Sequence, residues 1–189
     1  MDVAGVPGVE EIGLMSAAAL DELAATMEVA RRVAQAEMAL LVQRVDASGV
    51  FAVDGHRRVS LWGRATNNWS GAEAARLVKL GRAFKVLPLF AEAALAGRIG
   101  IAQMDAVAAV AANPRVREHL EAADESFTRF AQTLAFHDLV TLLQHWEQLA
   151  DPTGPVTVMT GPARGVGPGW RSLGNAALSM PPEPPSTGW

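Results

Sequence analysis

The chain has 189 residues, half of them hydrophobic, with 35 Ala, 14 Arg against two Lys, and neither Cys nor Tyr; this is enough for one ordinary domain with a core of its own. The absence of cysteine excludes disulfides, thiolate-bound zinc, iron–sulfur clusters and thiol catalysis, and no apolar run approaches the roughly 18–20 residues of a membrane span. The formal charge of −4 hides a segregation: residues 1–54 carry three Arg against nine acids, 55–100 eight cations against Glu73 and Glu92, and 101–153 three Arg against eight acids.

Residues 1–15, with Gly5, Pro7, Gly8 and Gly13, read as a flexible lead-in. The opening acids Asp2, Glu10 and Glu11 stand where a secretory leader would be basic, so a soluble, unprocessed cytoplasmic protein is expected. Ser16 is placed to cap a helix in which Leu20, Leu23, Met27, Ala30, Ala34, Met38, Leu41 and Val45 recur at three- and four-residue steps. That seam is close to a heptad. The helix should run about 45 Å, to Gly49, and needs a partner along its length, either a later helix of the chain or a second copy.

Residues 50–53 are too short to build a sheet and are expected to form a loop that tucks Phe51 inward. A second helix over 56–66 should face the core with Val59, Leu61 and Trp62, and Asn67 and Asn68 suit a turn. Ser70 to Glu73 spell a capping box. The helix it opens carries Leu77, Leu80, Phe84 and Leu87 on one face until Pro88 interrupts it or opens the next.

A short helix with Leu89, Ala93, Ala94 and Leu95 should close at Gly97, and another begins after Gly100 with Ile101, Met104, Val107, Ala108 and Ala111. Pro114 separates it from a helix holding Val116, Leu120, Ala123, Phe127, Phe130 and Leu134; the last presents Leu139, Leu142, Leu143, Trp146 and Leu149 before Asp151 and Pro152 stop it. With no convincing strand, the expected fold is all-α, a multi-helix bundle or stacked helical hairpins over residues 16–153. Residues 154–189 hold seven of the 17 Gly and seven of the 11 Pro with three charges, and are expected to be a disordered tail.

Several motifs coincide with one family. Asp54, Gly55 and His56 precede Trp62; Ser70, Ala72, Glu73, Ala74, Arg76, Leu77 and Val78 precede Leu87, Pro88 and Leu89; Ala94, Gly97, Ile99 and Gln103 follow; Leu149, Ala150, Asp151, Pro152, Thr153 and Gly154 close the series. Over residues 16–154 they resemble the actinobacterial domain of unknown function 222, the 13E12 repeat family. The resemblance implies a helical domain of the kind that stands in front of an HNH endonuclease domain, which holds a metal with His and Asn or a second His and is braced by paired cysteines. After Gly154 this chain has neither Cys nor His, so the nuclease, which needs a metal and a base to activate water, is not carried over. Gln103 stands where many members have His, and Ala135 and Phe136 replace a capping Ser or Thr with Pro, a loss of about 1 kcal/mol. The tail has the composition of GC-rich DNA read out of frame, which makes a truncated, frameshifted member the expectation.

No catalytic or metal site is expected. His137 and His145 lie about 12 Å apart along a helix, too far to share a metal, and Asp54, His56 and Ser60 lack the Gly-x-Ser-x-Gly elbow of a hydrolase. The candidate nucleic-acid residues are Arg57, Arg58, Arg64, Arg76, Lys79, Arg82 and Lys85, in a helix, turn, helix arrangement of the sort that sets a helix against DNA. The same charges could instead be solvated or paired within the fold. Leu20, Leu23, Met27, Ala34 and Leu41 are the candidate oligomer seam. The expected function is a non-catalytic, nucleic-acid-associated module; the alternatives are an accessory or DNA-targeting part of a separately supplied HNH endonuclease and a structural oligomerisation module. DNA and a second copy are the partners expected, with no cofactor, small-molecule ligand or membrane.

Overall fold

The computed structural model describes residues 7–151, and among them there are nine α-helices, one 3₁₀ turn and no strand. The helices are α1 (Val9–Gly13), α2 (Ala17–Ser48), α3 (Val50–Val53), α4 (Val59–Asn67), α5 (Gly71–Val86), α6 (Pro88–Leu95), α7 (Ile101–Ala111), α8 (Leu120–Thr133) and α9 (Phe136–Ala150), with the 3₁₀ turn over Pro114–His119. The all-α expectation holds. The expected tail over 154–189 lies outside the described residues.

Boundaries follow local chemistry. The Ser16 hydroxyl accepts from the Ala19 amide at 3.3 Å, and α2 ends at Gly49, whose φ of 67° is the left-handed cap conformation that glycine adopts without a Cβ penalty. The Ser70 hydroxyl accepts from the Glu73 amide at 3.0 Å, which is half of the capping box; the Glu73 carboxylate makes no return bond. Asn68 ends α4 with a φ of 54°, an excursion that Asn tolerates better than most residues. As expected, no side chain caps α9.

α5 is the central element and packs against α2, α4, α6 and α7. It buries Leu77, Leu80 and Phe84 among Ala36, Ala39 and Val42 of α2, Phe90 of α6, and Met104 and Val107 of α7, while Phe127, Leu139 and Leu143 extend the core through α8 and α9. Each large apolar side chain removed from water contributes about 1.5–3 kcal/mol. α2 and α5 approach closely at Gly81, where a Cβ would stand 2.6 Å from the Ala39 carbonyl oxygen.

Two buried carboxylates join distant segments. The Leu89 and Phe90 amides, at the start of α6, donate to Asp124 of α8 at 2.8 and 3.0 Å, and the Asn113 side-chain amide donates to Glu147 of α9 at 2.7 Å. Pro88 at the first position has no N–H to satisfy, so Asp124 answers the two donors that follow it.

The structure corrects several expectations. The buried positions of α2 are Ala36, Ala39, Val42 and Val45. They step by three, so the inward face turns by about 60° at each step and meets the near-heptad seam only at Val45. Residues 50–53 form a helical turn, not a loop, with Phe51 packed against the core. Leu61, expected inward, is exposed, as is Leu149 near the end of α9. The segment after Pro114 begins as the 3₁₀ turn before α8 takes over. Within the expected lead-in, Val9–Gly13 is a short helix with no buried residue.

Candidate functional site

The basic helix pair is held by its own packing. Trp62 and Trp69 meet edge to face with ring centroids 6.4 Å apart, fixing the turn between α4 and α5. Arg57 and Arg58 precede α4, and Lys79, Arg82 and Lys85 stand on α5; all five are exposed. They border one groove of about 800 Å³, which Arg117 of the 3₁₀ turn joins from the far side. Its apolar lining is more deeply set: Val59, Ala83 and Leu120 are buried, and Phe51, Val78 and Val86 half-buried. The result is a cationic rim around an apolar floor.

The rim is poorly neutralised. Asp46 of α2 is the one carboxylate in the lining, and it stands 3.7 Å from Arg82, whose side chain is 71% exposed. Arg57, Arg58, Lys79, Lys85 and Arg117 have no carboxylate within ion-pair distance among the described residues. So exposed a pair holds few charges down, and the groove keeps a positive field that its concave walls concentrate. A smaller depression of about 330 Å³ between α6 and α8 has Arg98 and Arg129 offset by Glu92 and Glu125.

Two of the seven candidate residues do not join the groove. Arg64 is exposed in the last turn of α4, away from the lining. Arg76 turns the other way, 3.7 Å from Asp105 of α7 and 3.4 Å from the Gln35 side-chain oxygen. Burial pushes the Asp105 carboxyl up from its usual range, and the nearby Arg76 and Lys79 charges oppose that rise. Arg117 was not among the sequence candidates. It lies in the acidic third of the chain, where a local charge average hides it, and only the turn opened by Pro114 carries it to α5.

The oligomer seam is largely uncovered. Leu20, Met27 and Leu41 are exposed, Leu41 by 51%; Ala34 is exposed and Leu23 half-buried. His119, His137 and His145 are exposed and His56 half-buried, and no three His, Asp or Glu among the described residues form a group that could hold a metal ion. No described helix is long and apolar enough to cross a membrane. Comparison with family models, curated proteins and solved structures found no match.

Proposed function

We propose that this chain is a non-catalytic helical module of the 13E12-repeat kind that acts in the cytoplasm and holds nucleic acid by its phosphate backbone. One observation carries the reading: six cations from three segments border a single groove that contains one carboxylate. Phosphate chains are bound by such surfaces with release of condensed counterions, so the affinity falls with salt. The lining has Ser60 as its one hydroxyl and no histidine beside Asp46, a set suited to holding an anion more than to moving protons.

The test is fluorescence anisotropy of a labelled oligonucleotide across a salt series. With four to six phosphates engaged, log K should fall with log salt at a slope of roughly −3 to −5. Lys79→Ala combined with Arg82→Ala should flatten that slope by about 1.5, while Arg64→Ala, exposed and outside the groove, should leave it unchanged. No binding at low salt overturns the reading.

A second reading rests on α2. Leu20, Met27, Ala34 and Leu41, with the half-buried Leu23 among them, keep near-heptad spacing on a face that the fold leaves largely open, and the natural occupant of such a seam is another helix carrying the same repeat. This reading makes the module a self-associating one, through a surface separate from the groove.

A further inference from the structure

We infer that the groove takes a single strand of nucleic acid in preference to a duplex, with phosphates on the rim cations and bases laid over Phe51, Val78 and Val86. The inference rests on the nucleic-acid reading above and specifies its ligand.

The argument against a duplex is steric. In a helix-turn-helix protein the second helix must stand proud of the domain to enter a major groove about 12 Å wide, and an α-helix with its side chains already measures about 10–12 Å across. Here that helix is α5, and α2 and α7 pack along it. Neighbouring axes at roughly 8–10 Å on either side make the face too broad to enter. The outward residues of α5 instead border a recess walled by Asp46 of α2 and by Asn113 and Arg117 beyond α7.

The argument for a single strand is chemical. A recess of about 800 Å³ falls in the range that encloses a ligand of nucleotide size. Its floor is apolar with one aromatic ring, Phe51, and an apolar floor rewards only bases that are unstacked and turned outward. A duplex keeps its bases inside and would touch the rim alone. Base identity should matter little. Of the two side-chain amides in the lining, Gln43 and Asn113, Asn113 is already committed, donating to Glu147 at 2.7 Å and accepting from the Arg115 amide at 3.1 Å.

The experiment compares, on the full chain at one low salt concentration, labelled ten-nucleotide strands of deoxythymidine and of uridine, a ten-base-pair DNA duplex and a ten-residue polyglutamate. The expected result is at least tenfold tighter binding of one or both strands than of the duplex and of polyglutamate. The two strands separate DNA from RNA, and either one tighter than the duplex supports the inference. Phe51→Ala should weaken the strand by roughly 5- to 150-fold with little effect on the duplex, and a thermal melt of the variant checks that it folds. The comparison on the unaltered chain decides the matter whatever the variant does. A duplex that binds as tightly as the strands overturns the inference and leaves the nucleic-acid reading standing. Polyglutamate bound as tightly as the strands overturns the inference by reducing the groove to an unselective anion trap, and no binding of any probe overturns both.

Discussion

Pro88 deprives α6 of one backbone donor and leaves the half-buried amide of Leu89 and the buried amide of Phe90 to be met by Asp124, itself buried. An orphaned buried amide costs about 1–3 kcal/mol, so Asp124→Ala should destabilise the domain by about 2–3 kcal/mol. In a thermal melt this is a fall of roughly 4–12 °C, and Asp124→Asn, which keeps one acceptor oxygen, should recover part of it. Glu28 gives a pH signature. Hydrogen bonds from Arg31 at 2.8 Å and Arg32 at 2.9 Å hold its carboxyl down at about 2, from an ordinary value of 4.5. A carboxyl lowered on folding adds stability that is fully present above its unfolded value and is lost as pH falls through its folded one. The difference in melting temperature between the native chain and Glu28→Gln should therefore persist at pH 6, shrink below about 4.5 and vanish as pH falls past about 2. Because all three side chains keep a third or so of their surface or more in water, the triad should yield a small difference that salt reduces further.

At the scale of elements, most helix starts and stops were legible, and so were the inward faces of α5, α7 and α8, but the face of α2 was not. Ser16, Ser70, Gly49, Asn68 and Pro88 act within one turn of themselves, so their chemistry can be read in place. The inward face of α2 depends on what crosses it, and the most regular apolar repeat in the chain turned out to lie largely outside the core. Half of the buried face is instead small residues, Ala36 and Ala39 beside Val42 and Val45, and a search for large apolar side chains passes over the two Ala. These small residues admit α5 at Gly81. Gly81→Ala should gain about 1 kcal/mol of helix propensity, but the new Cβ would meet the Ala39 carbonyl at 2.6 Å, and a backbone oxygen in a packed helix cannot step aside. The overpacking cost of about 1–3 kcal/mol should win, lowering the melting temperature. Gly71→Ala, with nothing within 4 Å of the added methyl, should leave stability unchanged or slightly raised.

For the molecule as a whole, the charge blocks of the sequence predicted a basic centre but not its shape. Five of the seven chosen cations border the groove, Arg76 is spent on Asp105, and Arg117 arrives from a block that is acidic on balance. No local rule could have sorted them, because Arg76 and Lys79 differ by one turn of the same helix and only the placement of α7 distinguishes them. The exposed seam of α2 makes a separate prediction at this scale. If a second copy covers it, sedimentation velocity should show a concentration-dependent dimer that Met27→Glu with Leu41→Glu abolishes; because both side chains already face solvent, the melting temperature of the monomer should stay within about 1 °C or so of the original. A monomer at every concentration would dismiss the seam as an interface.

The groove is drawn from segments as far apart as Gln43 and Leu120, and that has a consequence for the order in which the chain is made. On the ribosome the cations of residues 57–85 emerge well before Asn113, Pro114 and Arg117. For that interval the nascent chain displays a basic stretch with no wall to enclose it. Whatever selectivity the groove possesses therefore belongs to the finished fold, and a fragment ending before the 3₁₀ turn would keep the charge but lose the discrimination.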